Sequence, residues 1–261
     1  MSPTRGSVLS ARGLTVEFDG AVAVDGVDLQ IPTGGFTVIL GPNACGKSTT
    51  LRAMSRVLKR QAGEIAFDGR ALETYGSKEL AQRMGLLAQD AVAPEGMRVA
   101  DLVSRGRHPY HSAFQRWTAE DDAATRAAMA ATRTTDLAQR YVDQLSGGQR
   151  QRVWVALLLA QQTPLLLLDE PTTFLDIAHQ YELLDLLKEL NDDGKTVVAV
   201  LHDLNQAARY ADTLILMKQG RIVASGSPRE MITAERVREV FGLDAIVVDD
   251  PVTGSPMVVR R

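Results

Sequence analysis

Residues 41–48, GPNACGKS, constrain the fold of this chain more than any other segment. They match the pattern G-x-x-x-x-G-K-[ST], whose glycines allow successive backbone N–H groups to surround a polyphosphate. An apolar run at residues 36–40 precedes this loop, and residues 47–57 are predicted to form a helix. The pattern requires that order of strand, loop and helix. The sequence therefore predicts an α/β fold that carries a phosphate-binding loop.

Three side chains of the phosphate-binding loop bear on its chemistry. Lys47 is placed to reach the β- and γ-phosphates of a nucleotide, and the hydroxyl of Ser48 is placed to ligate Mg²⁺. Cys45, the single cysteine of the chain, lies beside Lys47 and a helix start, and both features lower the pKa of a thiol. We interpret Cys45 as a small tolerated residue, and the alternative is a thiol open to oxidation.

A second apolar run, residues 165–168, is bounded by Pro164 and Pro171 and leads into Asp169 and Glu170. A short continuous apolar run predicts a strand that is buried on both faces. The carboxyl ends of such strands are where open α/β sheets bind ligands. We expect Asp169 to hold Mg²⁺ and Glu170 to orient and polarise an attacking water. The alternative is a buried strand that ends in a solvated acidic pair.

Five segments stand in the order and spacing of the ATP-binding cassette (ABC) ATPases, and the sequence resembles that family over nearly its whole length. The segments are residues 41–49, 145–149 (LSGGQ), 165–170, 175–176 and 201–203. The resemblance implies an α/β fold, a P-loop NTPase core of the ABC ATPase type with an antiparallel β subdomain and an inserted helical subdomain. It implies one domain over residues 1–261, with the core and β subdomain at about 1–89 and 160–261 and the helical subdomain at about 90–159.

A narrower resemblance links the chain to the ATPase subunits of ferric-siderophore importers, which are relatives of the cobalamin importers. It rests on residues 106–109 (GRHP), 145–160, 169–179 and 250–256. The first of these combines flexible Gly106, cationic Arg107, a polar ring and a rigid turn, so we expect it to receive a short helix of a membrane partner. The alternative is an ordinary exposed loop.

The family resemblance also implies roles for three isolated side chains. Phe18 lies where the family places an aromatic ring against adenine. Gln89 matches the glutamine that meets Mg²⁺ and the γ-phosphate and signals to the membrane partner, and His202 matches the histidine that contacts the γ-phosphate. The alternatives are an ordinary strand aromatic, a solvated glutamine at a strand end and a structural histidine.

The LSGGQ segment implies that two copies of the chain act together. In the family, Ser146, Gly147 and Gly148 lie far from their own phosphate-binding loop and cap the γ-phosphate bound by a second subunit. Two head-to-tail copies would then share two ATP molecules, with Asp176 near the seam.

The predicted site residues form three sets. The nucleotide-binding set is Phe18, Gly41, Pro42, Asn43, Ala44, Cys45, Gly46, Lys47, Ser48, Thr49, Ser146, Gly147, Gly148, Gln149 and Asp176. The catalytic set is Lys47, Gln89, Glu170 and His202. The metal-binding set is Ser48, Gln89 and Asp169.

Position 44 departs from the family pattern, which usually has glycine where this chain has Ala44. A Cβ there is harmless if φ is negative, and it costs on the order of 1 kcal/mol or more if φ is positive. We expect the loop to bind ATP in either case.

Composition narrows the class of partner. The formal net charge is -3 and Lys and Arg are dispersed, which disfavours a nucleic-acid partner. Residues 1–10 have no hydrophobic core of a signal peptide, and the apolar stretch 153–168 is interrupted by glutamines and a proline. We therefore expect a peripheral protein at the cytoplasmic face of the membrane, which contacts the membrane through a partner.

The predicted function is an ATPase subunit that uses ATP and Mg²⁺ to power ferric-siderophore import through a separate transmembrane permease. A periplasmic or surface substrate-binding protein is an indirect partner, and a second copy of the chain completes the ATP sites. The alternatives are a cobalamin or heme import ATPase, a soluble iron-sulfur cluster assembly ATPase, and a DNA-repair or ribosome-associated ATPase.

Overall fold

The structure is a computed structural model that describes residues 7–89, 91–111 and 116–261. The chain divides into two compact units, Met1–Thr74 with Thr196–Arg261, and Tyr75–Lys195. The predicted subdomain boundaries near residues 89 and 160 stay a prediction. The expectation of no signal peptide falls mostly on residues 1–6. The resemblance to the importer subunits around GRHP extends over residues 105–117, and residues 112–115 of that stretch, like residues 1–6, lie outside the described residues.

The elements alternate between strands and helices along the chain. The strands are β1 (Ser7–Phe18), β2 (Ala21–Pro32), β3 (Phe36–Leu40), β4 (Ala62–Phe67), β5 (Arg70–Ala71), β6 (Met84–Leu87), β7 (Leu165–Asp169), β8 (Thr196–Val200), β9 (Thr213–Lys218), β10 (Arg221–Gly226), β11 (Ala245–Asp249) and β12 (Pro256–Arg260). The helices are α1 (Lys47–Met54), α2 (Ser77–Ala81), α3 (Val99–Ser104), α4 (Ala119–Ala131), α5 (Gly147–Ala160), α6 (Ile177–Asp192), α7 (Leu204–Tyr210), α8 (Pro228–Met231) and α9 (Ala234–Phe241). Short 3₁₀ segments cover Leu72–Thr74, Arg105–Tyr110, Thr135–Leu137 and Val142–Gln144.

The first unit holds two sheets and a hairpin. One sheet is antiparallel, in the order β2-β1-β4-β5. In the other, β3 lies between β8 and β9 and is parallel to both, while β10 pairs antiparallel with β9. Every residue of β3 and β8 is buried, because parallel strands are covered on both faces. The β11–β12 hairpin is tied to α7 by Asn205, which bonds both the N–H and the carbonyl of Val258.

The second unit combines a parallel strand pair with a helical core. Strands β6 and β7 are parallel, and all five residues of β7 are buried. Helices α3, α4 and α5 share one apolar cluster, which includes Val99, Leu102, Met129 and Val153. Capping boxes at Thr118 and Ser146 begin α4 and α5, and they fix where each helix starts.

The sequence predictions of two strands are confirmed. Strand β3 covers residues 36–40, and β7 contains residues 165–168. Helix α1 is shorter than predicted, since it ends at Met54 rather than at residue 57. Arg56 has φ 62°, a left-handed conformation that a helix cannot continue through. No helix among the described residues is both long and apolar enough to cross a membrane.

Candidate nucleotide-binding site

The phosphate-binding loop leaves no room for side chains at its two glycines. A Cβ on Gly41 would lie 2.2 Å from the carbonyl oxygen of Met217. A Cβ on Gly46 would lie 2.5 Å from the carbonyl oxygen of Ala23, and Gly46 also has φ 100°. The backbone can therefore follow this path only with glycine at both positions. That the loop surrounds a phosphate stays a prediction.

Lys47 lies at the start of α1 and is only 5% exposed. Its Nζ donates to the carbonyls of Gly41 at 2.9 Å and Pro42 at 3.0 Å, so the ammonium is held inside the loop. Among the described residues, no side chain caps the first turn of α1, and none of its first residues is acidic. The N–H groups and the positive end of the helix are thus directed at the loop, where they favour an anion.

The structure bears on two neighbouring loop residues, through the backbone conformation of Ala44 and the burial of Cys45. Ala44 has φ 59°, so it adopts the left-handed conformation in which a Cβ costs on the order of 1 kcal/mol or more. Cys45 is 4% exposed, and desolvation by burial raises the pKa of its thiol, although nearby Lys47 acts in the opposite direction. Burial thus outweighs the nearby charge, which counts against the alternative of a thiol open to oxidation and favours the interpretation of Cys45 as a small tolerated residue.

The carboxyl end of β7 carries the predicted acidic pair. Asp169 is fully buried, and Glu170 follows it with φ 54°. Gln89 donates from Nε2 to Oε2 of Glu170 at 2.7 Å. The structure therefore brings together two residues of the predicted catalytic set that are far apart in sequence. Thr173 also donates to Glu170 Oε2, at 3.3 Å, and sequence reasoning missed this residue because one threonine after a strand carries no distinguishing pattern.

The LSGGQ segment forms the start of α5. The hydroxyl of Ser146 accepts from the N–H of Gln149 at 3.2 Å, and the side chain of Gln149 accepts from the N–H of Ser146 at 3.2 Å. Gln149 is thus used for capping. Gly147 and Gly148 follow, and a Cβ on Gly148 would lie 3.2 Å from Leu175. The LSGGQ segment therefore lies against the residues that precede Asp176.

Asp176 begins α6 as its N-terminal cap. It accepts from the N–H of His179 at 2.9 Å and from the Nδ1 of the same residue at 2.7 Å. These two bonds, of which the backbone one acts most strongly, lower the pKa of Asp176. The neighbouring Phe174 and Ile177 are 82% and 73% exposed.

The remaining predicted residues lie in the first unit, at strand ends, in the phosphate-binding loop and in the first turn of α1. His202 is exposed just beyond β8, and the next residue, Asp203, caps α7 by accepting from the N–H of Gln206 at 2.7 Å. Phe18 is the last residue of β1 and is 46% exposed, so its ring is open to stacking. Ser48 and Thr49 are half-buried in the first turn of α1, and Asn43 is exposed in the loop.

The expectation that Arg107 faces a membrane partner is wrong. Arg107 is 2% exposed, its Nε lies 2.9 Å from Oδ1 of Asp121, and its Nη1 donates to Ala160 and Gln162. Its guanidinium also lies 4.0 Å from the ring centre of Tyr110. A charged side chain is buried in this way only where it is paired, so Arg107 is a structural residue.

Two further residues show that the GRHP segment is packed rather than flexible. A Cβ on Gly106 would lie 2.3 Å from the carbonyl oxygen of Leu157, so this glycine permits close approach to α5. Burial raises the pKa of Asp121, but hydrogen bonds from Thr118 and Arg107 outweigh it, and the pKa lies well below its usual range. Of the four GRHP residues, His108 is exposed.

Comparisons with known proteins give the class of this chain. The model of the ABC transporter family matches residues 24–173, which is more than half of the chain. The chain belongs to the ABC transporter family, and it is an ATPase of that family with the predicted P-loop core fold.

Individual relatives are more specific. The chain is 51% identical to the ferric enterobactin transport ATP-binding protein FepC of Escherichia coli K12, over 97% of this chain and 94% of that protein. Among solved structures it resembles a metal-chelate type ABC transporter in an inward-facing conformation, with a TM-score of 0.83, 27% identity and 98% of both chains covered. It also resembles the dimeric bacterial ABC cassette MJ0796, with a TM-score of 0.75, 29% identity, and 84% of this chain and 98% of that one covered.

Proposed function

We propose that this chain is the ATP-hydrolysing subunit that energises import of ferric-siderophore complexes through a separate transmembrane permease. The single observation that carries the proposal is the near full-length similarity to the E. coli ferric enterobactin subunit. The chain would act as a peripheral protein at the cytoplasmic face of the membrane. A substrate-binding protein in the periplasm or on the cell surface would be an indirect partner.

The phosphate-binding loop supports ATP as the nucleotide. Both glycines lie where a Cβ would collide with backbone, the N–H groups at the start of α1 face the loop, and Lys47 supplies a positive charge. A polyphosphate would exchange the Lys47 contacts with the loop carbonyls for charge-assisted contacts with the β- and γ-phosphates. Phe18 has an exposed ring to offer adenine.

Ser48, Gln89 and Asp169 are the residues that would hold Mg²⁺. A hydroxyl, an amide and a carboxylate supply the oxygen ligands that this hard cation prefers, and Asp169 is fully buried at the carboxyl end of β7. Bound with ATP, Mg²⁺ would neutralise negative charge on the phosphates.

Glu170 would act as the general base. Its carboxylate would accept a proton from the attacking water as the water oxygen bonds to the γ-phosphorus and the bond to the β-phosphate oxygen breaks. His202 would contact the γ-phosphate. In a head-to-tail dimer, Ser146 and the N–H groups of Gly147 and Gly148 would cap the γ-phosphate bound by the second copy, and the dimeric MJ0796 cassette supports such an arrangement.

The similarity favours a siderophore over the other cargoes and roles. Cobalamin and heme importers would use the same ATPase chemistry, so the residues of the ATP site do not separate them from siderophore importers. A soluble iron-sulfur cluster assembly ATPase would need no permease, and a DNA-repair or ribosome-associated ATPase would need a nucleic-acid surface. The relative with 51% identity is a transport protein for a ferric siderophore.

The test of the cargo is an uptake experiment in the source organism. The gene is deleted in a strain with no second importer for the chosen siderophore, and uptake of the radiolabelled ferric complex is measured. We expect uptake and growth on that chelate under iron limitation to be lost, to return with the wild-type gene, and to stay lost with Glu170→Gln. Unchanged uptake in the deletion strain would point to cobalamin, heme or a role outside transport.

A further inference from the structure

The carboxylate of Glu170 belongs to a tight turn that begins at Glu170 itself. Glu170 has φ 54°, a left-handed conformation that non-glycine residues rarely adopt. The N–H of Thr173 donates to the carbonyl of Glu170 at 3.2 Å and closes the turn. Such a conformation persists where the surrounding contacts fix it, and it is frequent at active sites.

Two side chains donate to the same oxygen of Glu170, but they belong to different parts of the chain. Gln89 Nε2 lies 2.7 Å from Oε2 and Thr173 Oγ1 lies 3.3 Å from it. Gln89 is 81 residues away, just beyond the end of β6, whereas Thr173 belongs to the turn that contains Glu170. A side chain within the turn moves with Glu170, and a side chain outside it does not.

This difference matters if Gln89 has the role proposed above. A glutamine amide that ligates Mg²⁺ through Oε1 is drawn toward the nucleotide, whereas its Nε2 group now donates to the Glu170 carboxylate. The hydroxyl of Thr173 belongs to the turn of Glu170, so its bond does not depend on where that amide lies.

We propose that Thr173 is a positioning residue for ATP hydrolysis, whose hydroxyl orients the Glu170 carboxylate toward the attacking water while Gln89 engages the nucleotide. The proposal rests on the proposed function, in which Glu170 is the general base. Thr173 acts only through Glu170 and contacts neither ATP nor the water.

The experiment compares two substitutions in the purified full-length chain. Thr173→Val removes the hydroxyl and keeps the β-branched shape, and Thr173→Ser keeps the hydroxyl. Since a hydrogen bond to a charged group is lost and the bond is long, we expect Thr173→Val to lower kcat by about 3- to 10-fold with KM for ATP changed less than about twofold. Thr173→Ser should keep at least about half of the wild-type kcat.

A second background separates positioning from general support of the fold. In Glu170→Gln the carboxylate is absent, so adding Thr173→Val should cause no further loss of the residual turnover. Unchanged kcat in Thr173→Val, or an equal fold-loss in both backgrounds, would overturn the proposal. If Thr173→Val does not fold, as judged by thermal unfolding, Thr173→Ala is compared in the same two backgrounds.

The two backgrounds also test this proposal separately from the proposed function. Glu170→Gln alone reports whether Glu170 is the general base, and Thr173→Val reports whether its carboxylate is positioned by Thr173. The cargo does not enter either measurement, because both use ATP and the isolated chain.

Discussion

Lys47 shows how a residue can be prepared for its ligand before the ligand binds. Its ammonium is already desolvated, with carbonyls of the phosphate-binding loop as partners in place of water. Binding of a polyphosphate therefore replaces neutral acceptors by charged ones without a further loss of hydration. Charge-assisted hydrogen bonds of this kind are about twice as strong as neutral ones.

Removing this ammonium should disable the nucleotide site. We expect Lys47→Ala to weaken ATP binding and to lower kcat/KM by at least about 10²-fold, because a preorganised charge at the transferring phosphate is lost. Steady-state hydrolysis and binding of a fluorescent ATP analogue measure both effects. Lys59→Ala is a matched control, since Lys59 is exposed just beyond α1. Near-normal turnover in Lys47→Ala would contradict the assignment of the loop.

Ala44 allows a test of backbone strain in the same loop. Because Ala44 has φ 59°, Ala44→Gly should raise the free energy of unfolding by about 0.5–1 kcal/mol, the strain relieved being partly offset by the freedom that glycine adds to the unfolded chain. Thermal or urea unfolding of the nucleotide-free chain measures the change. The control is Ala127→Gly, at an exposed position inside α4, which should lower stability by about 1 kcal/mol. A loss of stability in both variants would show that Ala44 is not strained.

At the scale of elements, the 3₁₀ segment Arg105–Tyr110 caps the C-terminal end of α5, the helix that begins with the LSGGQ segment. The last carbonyls of a helix have no partner within it. Here Arg107 donates to Ala160 at 3.0 Å and the hydroxyl of Tyr110 donates to Gln161 at 2.9 Å. The segment that resembles the importers is therefore joined to α5 by hydrogen bonds, and a displacement of one would be transmitted to the other.

Truncating Arg107 should be severe, because it leaves Asp121 buried without its cation. We expect Arg107→Ala to lower the free energy of unfolding by about 3–5 kcal/mol. Arg105→Ala, at an exposed position two residues earlier, should change it by less than about 0.5 kcal/mol. Equilibrium unfolding in urea gives both values. If the two variants are equally stable, the buried ion pair does not support the fold.

The same ion pair predicts a pH dependence of stability. The pKa of Asp121 in the folded chain lies below its ordinary value of 3.8, so its contribution is fully present above that value and is lost as the pH falls through the folded-state pKa. We therefore expect the unfolding free energy of the wild type to fall more steeply below about pH 4 than that of Asp121→Asn. Parallel curves for the two proteins would contradict this origin of acid sensitivity.

These elements also show which structural features can be derived from sequence. Strands β3 and β7 were predictable because a short apolar run bounded by turn residues acts locally. The environment of Arg107 was not predictable, since its partner Asp121 lies 14 residues away on another element. The hydrogen bond between Gln89 and Glu170 was not predictable, because a motif indicates the role of a residue but not which side chain it contacts.

At the scale of the whole molecule, the exposed apolar residues next to Asp176 fit a protein that acts as a pair. Phe174 and Ile177 are more than 70% exposed, and Phe174 also has φ 66°. Contiguous exposed apolar patches, unlike single exposed side chains, mark surfaces that contact another molecule. Together with the LSGGQ segment, against which Phe174 lies, they support a second copy of the chain as the partner.

A substitution that slows hydrolysis should make this pair visible. Glu170→Gln keeps the shape of the side chain and removes the base, so hydrolysis should fall by roughly 10²- to 10⁴-fold while ATP binding survives. Bound ATP is then not consumed, and the ATP-bound dimer should accumulate. Size-exclusion chromatography with light scattering, in the presence of Mg²⁺ and ATP, measures the mass.

The double variant Glu170→Gln with Lys47→Ala is the control, because it lacks the charge that retains ATP and should stay monomeric. If Glu170→Gln binds ATP and remains monomeric, the isolated chain does not form the shared sites. In such a monomer the γ-phosphate of bound ATP lacks the backbone N–H groups of a second LSGGQ segment.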